Sequence, residues 1–382
     1  MPSIDDMLDG MKETEQNTAI PDPMVDVSGS RITTPAEWLA NRPSLLAMFE
    51  SHVYGKTPQR DWPFEVVDST VRELPEIGAS RRMVKLKFEF NTAIDVLQYT
   101  PLGKRAVPAF AMVNFIGNQS IASAHETDVP VQTRRVISYP GDAVVDGRAT
   151  QASRGFRSHY LPVKEIVARG YGAVTFCCAD VEEDVPDGHQ TSLRTNSNWE
   201  IGRSSAIGAW AWGLSRVLDY IERHEPLIDA KRVAAMGHSR MGKTALWACA
   251  QDTRFAMAIS NESGQGGAAI HRRRVGETIE HITRVFPHWF CPAHRAFDRR
   301  EDELPVDQHQ LLALIAPRPT YVASAEGDLW ADPEGERLST VLAGPVFDLL
   351  GGPAVGYHVR PGAHHVEAVD WENFLSFADR HL

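Results

Sequence analysis

Residues 233–267 read VAAMGHSRMGKTALWACAQDTRFAMAISNESGQGG, and this stretch decides how the rest of the chain is interpreted. It begins with four apolar residues, 233–236, which predict a short buried strand. A tight turn with Ser239 at its tip follows, and residues 243–248 are a run of good helix formers. A serine hydroxyl is a weak nucleophile that must stand clear of the backbone to reach a base. The strand, turn and helix therefore predict a nucleophilic serine.

The turn, GHSRMG at residues 237–242, is similar to the nucleophile elbow of α/β-hydrolases, which carries the motif G-x-S-x-G. It departs from that motif because Met241 occupies the second glycine position and Gly242 comes one residue later. The backbone N–H of Arg240 lies at the start of the predicted helix, where unpaired donors and the helix dipole favour an oxyanion. On this motif alone, an ordinary turn between a strand and a helix is an equal alternative.

Two sequence blocks together resemble one enzyme family. Residues 237–243, GHSRMGK, resemble the G-C-S-R-x-G-K elbow of glucuronoyl esterases, carbohydrate esterase family 15, with His238 where many members have cysteine. Residues 261–269, NESGQGGAA, are similar to the second block of that family, E-S-G-x-G-G-A-A. The resemblance extends from about Trp38 to the C-terminus. It implies hydrolysis of esters of D-glucuronate or 4-O-methyl-D-glucuronate, as in the links between lignin and glucuronoxylan.

Composition sets limits on the function. The chain has 382 residues, of which 43% are hydrophobic and 23% charged, a globular composition. The net charge of -11 argues against non-specific nucleic-acid binding. No run approaches 18 apolar residues, so we expect no membrane span. We expect a monomer whose partner is a uronic-acid ester or an oligosaccharide.

The N-terminus and the cysteines bear on the compartment. The first residues, MPSIDDMLDGMKETEQN, lack the basic and apolar regions of a secretory signal, which predicts a cytoplasmic protein. Relatives are usually exported, so a trimmed signal is the alternative. The four cysteines have neither metal-ligand spacing nor the density of a disulfide framework, and we expect buried thiols. They are Cys177, Cys178, Cys249 and Cys291.

The order of predicted elements gives the fold class. Residues 1–35 are predicted to be a tail or a wrapping segment, and residues 36–382 a single catalytic domain. Thr34 and Pro35 suit the cap and the first position of a helix. Strands are predicted at 83–90, 94–100, 107–115, 171–178, 255–260, 320–324 and 357–360, and helices at 41–52, 163–169 and 200–224. Strands separated by helices predict a doubly wound and mostly parallel sheet with helices on both faces. Together with the resemblance of the turn at Ser239 to a nucleophile elbow, this gives the α/β-hydrolase fold as the expected fold class.

The general base is predicted from chain order. An α/β-hydrolase places its histidine after the last strand, in the order serine, acid, histidine. Residues 357–365, YHVRPGAHH, give a strand, a Pro-Gly turn and then His364 at the carboxyl edge of the sheet. This segment resembles the G-x-H segment of the family. His365 is the alternative for the same role.

The acid has two candidate positions. The topology of the fold puts it in the loop after strand 320–324, where Asp328 and Asp332 lie. The resemblance puts it at Glu262, because fungal members carry glutamate there, whereas some bacterial members use an acid in the later loop. We expect Glu262 to orient His364, with Asp328 as the alternative. A glutamate in an ion pair that stabilises a loop is the structural interpretation of Glu262.

The resemblance also implies the substrate contacts. It assigns oxyanion support to the Arg240 side chain, sugar hydroxyls to Lys243 and Glu277, and the cover over the sugar ring to Trp330. Structural alternatives are a solvated helix surface for Lys243 and the hydrophobic core for Trp330.

Other features carry weaker predictions. The turn at 116–119 follows strand 107–115, where such folds place a second oxyanion N–H, although a plain loop is the alternative. The polar stretch 119–160 is expected to form binding loops or to be disordered. Glu277 and the histidines do not form a zinc-protease signature, and no phosphate-binding glycine motif occurs, so no metal or organic cofactor is expected. The histidines concerned, expected at surface or structural positions, are His281, His288, His294 and His309.

Two other functions stay open from the sequence. A deacetylase or a broad carboxylesterase would keep the serine, the histidine and an acid without needing Lys243 and Glu277. A carbohydrate-binding relative with a decayed site would bind sugar without turnover.

Overall fold

The computed structural model describes residues 20–58, 62–89, 92–137, 141–197 and 199–382. Its strands are β1 (Phe64–Leu74), β2 (Ala79–Phe88), β3 (Ala93–Pro101), β4 (Val107–Asn114), β5 (Val144–Val145), β6 (Arg148–Ala149), β7 (Gly172–Cys177), β8 (Ile228–His238), β9 (Met257–Asn261), β10 (Thr320–Ala325) and β11 (Gly356–Arg360). Its helices are α1 (Pro35–Phe49), α2 (Asn118–Ile121), α3 (Val163–Ala168), α4 (Cys178–Val181), α5 (Leu193–Asn196), α6 (Ala206–His224), α7 (Arg240–Gln251), α8 (Ile279–Val285), α9 (Gln308–Ala313), α10 (Pro333–Leu349) and α11 (Ala368–His381).

One mixed sheet organises the described residues, in the order β1-β2-β3-β7-β4-β8-β9-β10-β11. In this order along the sheet, the first four strands, β1-β2-β3-β7, pair antiparallel with their neighbours. From β7 onward, β7-β4-β8-β9-β10-β11, all neighbours pair parallel. Parallel neighbours require a crossover, and the intervening helices supply it. The predicted mostly parallel sheet is therefore confirmed.

Helices cover both faces of this sheet. Successive residues of a strand point to opposite faces. On β11, Tyr357 donates to the carbonyl of Pro333 at the start of α10, whereas His358 packs against Phe374 of α11. Helices α10 and α11 therefore lie on opposite faces, as the fold class predicts.

The register of the central strands brings four loops to one edge. His238 at the end of β8 pairs with Asn261 at the end of β9, and Asn261 pairs with Ala323 of β10. Ala325 at the end of β10 pairs with Arg360 at the end of β11. The loops that follow these strands leave the sheet side by side at its carboxyl edge, where open α/β sheets bind ligands.

Some element boundaries differ from the prediction. Strand β1 was not predicted, and α6 begins at Ala206 rather than at residue 200, because Ser205 caps it by accepting from the N–H of Gly208. The predicted cap at Thr34 is confirmed, and α1 runs from Pro35 through Pro43 into a π-helical turn, Glu50–Tyr54. Residues 1–19 of the predicted tail and Phe90 of a predicted strand lie outside the described residues.

Residues 20–34 of the predicted wrapping segment contact the rest of the protein. Met24 and Ile32 are buried, and the ring of the buried His309 lies 2.7 Å from the carbonyl oxygen of Pro21. All four cysteines are buried free thiols, as expected. None of the described helices combines the length and the apolar character that a bilayer crossing requires.

Candidate active site

Ser239 occupies a sharp turn between β8 and α7. Its backbone angles are φ 58 and ψ -131, a conformation that costs about 1–3 kcal/mol and that the surrounding structure must stabilise. The Ser239 N–H donates to the carbonyl of Asn261 at 2.9 Å. Gly237 and Gly242 make the turn possible, because a Cβ on Gly237 would lie 1.9 Å from the carbonyl oxygen of Met241 and one on Gly242 would lie 2.9 Å from the Cβ of Ser263. Gly242, one residue later than the common motif, therefore lets α7 approach the loop after β9.

His364 contacts both predicted acids through one nitrogen. Its Nδ1 lies 2.6 Å from Oδ2 of Asp328 and 3.3 Å from Oε2 of Glu262. With the Nδ1 proton donated to a carboxylate, Nε2 of the neutral ring is an acceptor, which is the tautomer that a general base needs. The side chain is 40% exposed, so substrate can reach it.

His365, the alternative base, has a different environment. Its Nδ1 lies 3.0 Å from the carbonyl oxygen of Val366, and its ring stacks on His159 at 4.7 Å. Through His159 this loop adjoins a groove of about 1010 Å³ that is also lined by Trp371. Of the two candidates, His364 is the one whose ring contacts Asp328 and Glu262.

Glu262 is a buried carboxylate with several partners. It accepts from Arg360 Nη2 at 2.6 Å and from the backbone N–H of His365 at 2.9 Å. Of the two acids, Asp328 makes the shorter contact with His364, whereas the sequence ranked Glu262 first. Glu262 thus both forms the ion pair of the structural interpretation and lies against the histidine. Asp332 instead caps α10 and pairs with Arg273.

These contacts determine the charges of the group. Burial lowers the pKa of His364, but the hydrogen bonds and negative charges of Asp328 and Glu262 outweigh it and raise the pKa to about 9. Burial raises the pKa of Glu262, against the opposing effects of His364 and Arg360.

A second histidine, His238, packs against the ring of His364. The ring of His238 is buried and lies 4.4 Å from the ring of His364. Its Nδ1 lies 2.6 Å from the side-chain oxygen of Asn261. Burial, together with the charge of His364, keeps the pKa of His238 well below its ordinary value, so the ring is neutral. His364 therefore packs against a neutral ring on this side.

Lys243 and Glu277 form a buried ion pair. Lys243 Nζ donates to Glu277 Oε2 at 2.6 Å and to the carbonyl of Ser263 at 2.5 Å. The Lys243 side chain is 1% exposed, so the alternative of a solvated helix surface is wrong. The Glu277 N–H donates to the carbonyl of Trp330, which connects the pair to the third predicted substrate contact.

Trp330 is a surface residue. It is 45% exposed, and its ring lies nearly perpendicular to that of His281, with ring centres 4.5 Å apart. The alternative that Trp330 belongs to the core is therefore wrong. The structure brings Lys243, Glu277 and Trp330 together at one end of the site.

The Arg240 side chain is bound by residues that the sequence analysis did not single out. Its Nη1 donates to Oδ2 of Asp184 at 2.7 Å, and its guanidinium carbon lies 4.5 Å from the centre of the Trp289 ring. Asp184 also lies 2.9 Å from Nε2 of His288, which the sequence analysis expected at a surface or structural position. One signal could have found Asp184: it follows β7 at the carboxyl edge of the sheet.

In the turn at 116–119, the backbone N–H of Gly117 is already paired within the protein. The Gly117 N–H donates to the side-chain oxygen of Asn114 at 2.8 Å, so this N–H is not available to a substrate. Gln119 is fully buried. The predicted second oxyanion donor is therefore not Gly117.

Within the described ranges, one set of neighbouring side chains has the donor atoms that a metal ion could use. One group there, Glu262, Asp328 and His364, places three possible ligand atoms within 4.8 Å of one another. The same three residues form the histidine–carboxylate contacts described above, and these contacts account for their closeness.

The sequence matches known esterases over most of its length. Residues 157–351 match the family model described as glucuronyl esterase of fungi. Carbohydrate esterase MZ0003, from an unknown prokaryotic organism, is 39% identical, with 95% of this chain and 89% of that protein covered. The 4-O-methyl-glucuronoyl methylesterase of Schizophyllum commune is 26% identical, with 91% of this chain and 78% of that protein covered.

Solved structures give the same result for the fold. A promiscuous CE15 esterase from a marine bacterial metagenome superposes with a TM-score of 0.89 at 37% identity, covering 97% of this chain and 99% of the other. A glucuronoyl esterase from Solibacter usitatus superposes with a TM-score of 0.86 at 35% identity and the same coverage.

Proposed function

The chain belongs to the glucuronoyl esterases of carbohydrate esterase family 15, and from this membership we propose that it hydrolyses the C6 ester of D-glucuronate or 4-O-methyl-D-glucuronate. One observation carries the proposal. The Nδ1 atom of His364 contacts two carboxylates at the sheet edge where Ser239 also lies. Close by, Lys243 in the first turn of α7 forms a buried ion pair with Glu277 in the loop after β9.

Acylation begins at Ser239. The hydroxyl attacks the C6 carbonyl while Nε2 of His364 accepts its proton, and Asp328 and Glu262 stabilise the imidazolium. The oxyanion is stabilised by the backbone N–H of Arg240 and by its guanidinium group. The alcohol leaves with the proton from His364, and water then releases the uronic acid by the same steps in reverse.

The sugar is bound at the Lys243 end. Lys243 and Glu277 are paired and almost fully buried, so a sugar hydroxyl can donate to the carboxylate and accept from the ammonium while displacing little water from either charge. The exposed ring of Trp330 covers the apolar C–H face of the pyranose. These contacts distinguish a uronate ester from a simple acyl ester.

Hydrolysis of simple acyl esters is the second candidate. A relative that is 37% identical is described as promiscuous, and the 40% exposure of His364 leaves the reacting groups open to small esters. Such an activity would use Ser239, His364 and the acids but would not depend on Lys243 or Glu277.

The test compares initial rates on benzyl D-glucuronate and p-nitrophenyl acetate for the wild type and Ser239→Ala. We expect preference for the uronate ester, and a fall in kcat of at least about 10⁴-fold in the variant, because members of a catalytic triad act as a unit. A serine-dependent preference for the acetate would retain the nucleophile and reject the substrate. Sugar binding without serine-dependent turnover of either ester would support a carbohydrate-binding protein instead.

A further inference from the structure

The two carboxylate oxygens of the buried Asp184 accept hydrogen bonds from three side chains. Arg240 Nη1 lies 2.7 Å from Oδ2, while His288 Nε2 and Trp289 Nε1 lie 2.9 Å and 2.8 Å from Oδ1. The Asp184 side chain is 1% exposed. Burial raises its pKa, but Arg240 and the donors from His288 and Trp289 outweigh it and lower the pKa to about 2. The carboxylate is therefore ionised wherever the enzyme works.

Aromatic rings also pack against the guanidinium group. Its carbon lies 4.5 Å from the centre of the Trp289 ring and 5.3 Å from that of Phe115. Trp289 is itself stacked flat on Phe286, with ring centres 3.8 Å apart. Fixing an arginine costs side-chain conformational entropy, and these contacts fix it before substrate arrives.

The two loops that carry these residues are anchored independently of Arg240. The carbonyl of Glu182 accepts from the indole N–H of Trp210 on α6 at 2.8 Å. The carbonyls of His288 and Trp289 accept from the first two N–H groups of α6. The support for Arg240 is therefore built on a buried helix and not on the elbow itself.

We propose that Asp184, together with His288 and Trp289, is the positioning group that fixes the Arg240 guanidinium where the oxyanion develops. The inference rests on the proposed function, in which Arg240 stabilises that oxyanion. Preorganised donors stabilise the transition state because they need no reorganisation during the reaction. Asp184 thus acts on kcat through Arg240 and touches neither substrate nor reacting atoms.

The experiment is a double-mutant cycle of Asp184→Asn and Arg240→Gln, with kcat and KM measured on benzyl D-glucuronate. We expect Arg240→Gln to lower kcat by about 10²-fold, the loss typical of one oxyanion donor, and Asp184→Asn by about tenfold with KM little changed. Since both act through one group, the double variant should be no slower than Arg240→Gln alone. Asp184→Glu, which keeps the charge, should recover part of the loss.

Glu182→Gln is the matched control. Glu182 lies two residues before Asp184, is fully buried, and forms a bidentate pair with Arg194 at 2.6 and 2.5 Å. The control also removes the charge from a buried ion pair of this loop, so both variants should lower the melting temperature. Only Asp184→Asn should lower kcat.

Additive effects of the two substitutions on kcat would overturn the proposal. A fall in melting temperature without a fall in kcat for Asp184→Asn would overturn it as well. If the wild type hydrolyses only p-nitrophenyl acetate, the substrate assignment fails, and the same cycle on that ester decides the positioning role separately. If no ester is hydrolysed in a Ser239-dependent way, there is no oxyanion to stabilise and both proposals are rejected.

Discussion

The two ends of the proposed active site hold their charges in different ways. At the histidine end, one ring that is 40% exposed contacts two buried carboxylates, Asp328 and Glu262. At the sugar end, one lysine that is 1% exposed contacts one carboxylate, Glu277, and Trp330 beside the pair is open to solvent. His364, the proposed proton acceptor, therefore keeps one carboxylate partner if the other is removed. Lys243 at the sugar end has only one carboxylate partner, Glu277, among the residues that the structure describes. Substitutions should change kcat at the first end and KM at the second.

The largest effect is expected at the histidine itself. His364→Ala removes the base proposed to accept the serine proton, so kcat should fall by about 10⁵- to 10⁶-fold while KM changes little. The measurement is steady-state kinetics on benzyl D-glucuronate.

His365→Ala is the matched control for that change. Its ring stacks on His159 and has no contact with either acid among the residues that the structure describes, so kcat should stay near the wild-type value. Equal losses in the two histidine variants would refute the assignment of His364 as the base.

The paired acids should compensate for each other. Asp328→Asn and Glu262→Gln should each lower kcat by only about 10- to 100-fold, because one carboxylate still stabilises the imidazolium. The double variant should lower kcat by about 10⁴-fold, as when a catalytic triad loses its only acid. Kinetics of the two single variants and the double variant measure this.

Asp332→Asn tests whether any acid of that loop has the same effect. This residue caps α10 and pairs with Arg273, so its loss should lower the melting temperature and leave kcat unchanged. A single acid variant as slow as the double would show that the second carboxylate is no substitute.

The pH profile should report the same pair. Because the pKa of His364 is raised from 6.5 to about 9, the neutral base becomes more populated as the pH rises, and kcat/KM should increase about tenfold per pH unit up to that value. Asp328→Asn removes one of the charges that raise the pKa and should move this limb to lower pH. An unmoved limb would assign it to another group.

The same titration has a consequence for stability. Protonated His364 is stabilised in the folded state, so its contribution is complete below the ordinary pKa of 6.5 and is lost as the pH rises through about 9. The melting temperature should therefore decline over this interval, and by less in Asp328→Asn.

Local sequence predicted the strand, turn and helix around Ser239, and the order of elements predicted that His364 follows the last strand of the sheet. Residues 233–248 contain their own strand, turn and helix, and His364 follows from the order of elements along the chain. Strand β1 was missed because a bulge between Val67 and Ser69 breaks the two-residue alternation that marks a strand.

The partners of these groups could not be predicted in the same way. Asp184 lies 56 residues before Arg240, and Glu277 lies 34 residues after Lys243, so neither contact is visible to any local pattern. The ranking of Glu262 above Asp328 had the same weakness: both follow strands that end at one sheet edge, and only the side-chain geometry decides which oxygen lies closer to Nδ1 of His364.

The smallest effect is expected at the exposed end of the sugar site. Trp330→Ala should raise KM for the uronate ester about fivefold, equivalent to about 1 kcal/mol of lost contact between the ring and the sugar, and leave kcat within about twofold. Since Trp330 is 45% exposed, the melting temperature should not change. Leu329→Ala is the control, because Leu329 precedes Trp330 in the chain, its side chain is 69% exposed, and it has no predicted sugar contact. If Trp330→Ala left KM unchanged, or if Leu329→Ala raised KM equally, binding at this end would depend on the buried Lys243–Glu277 pair alone.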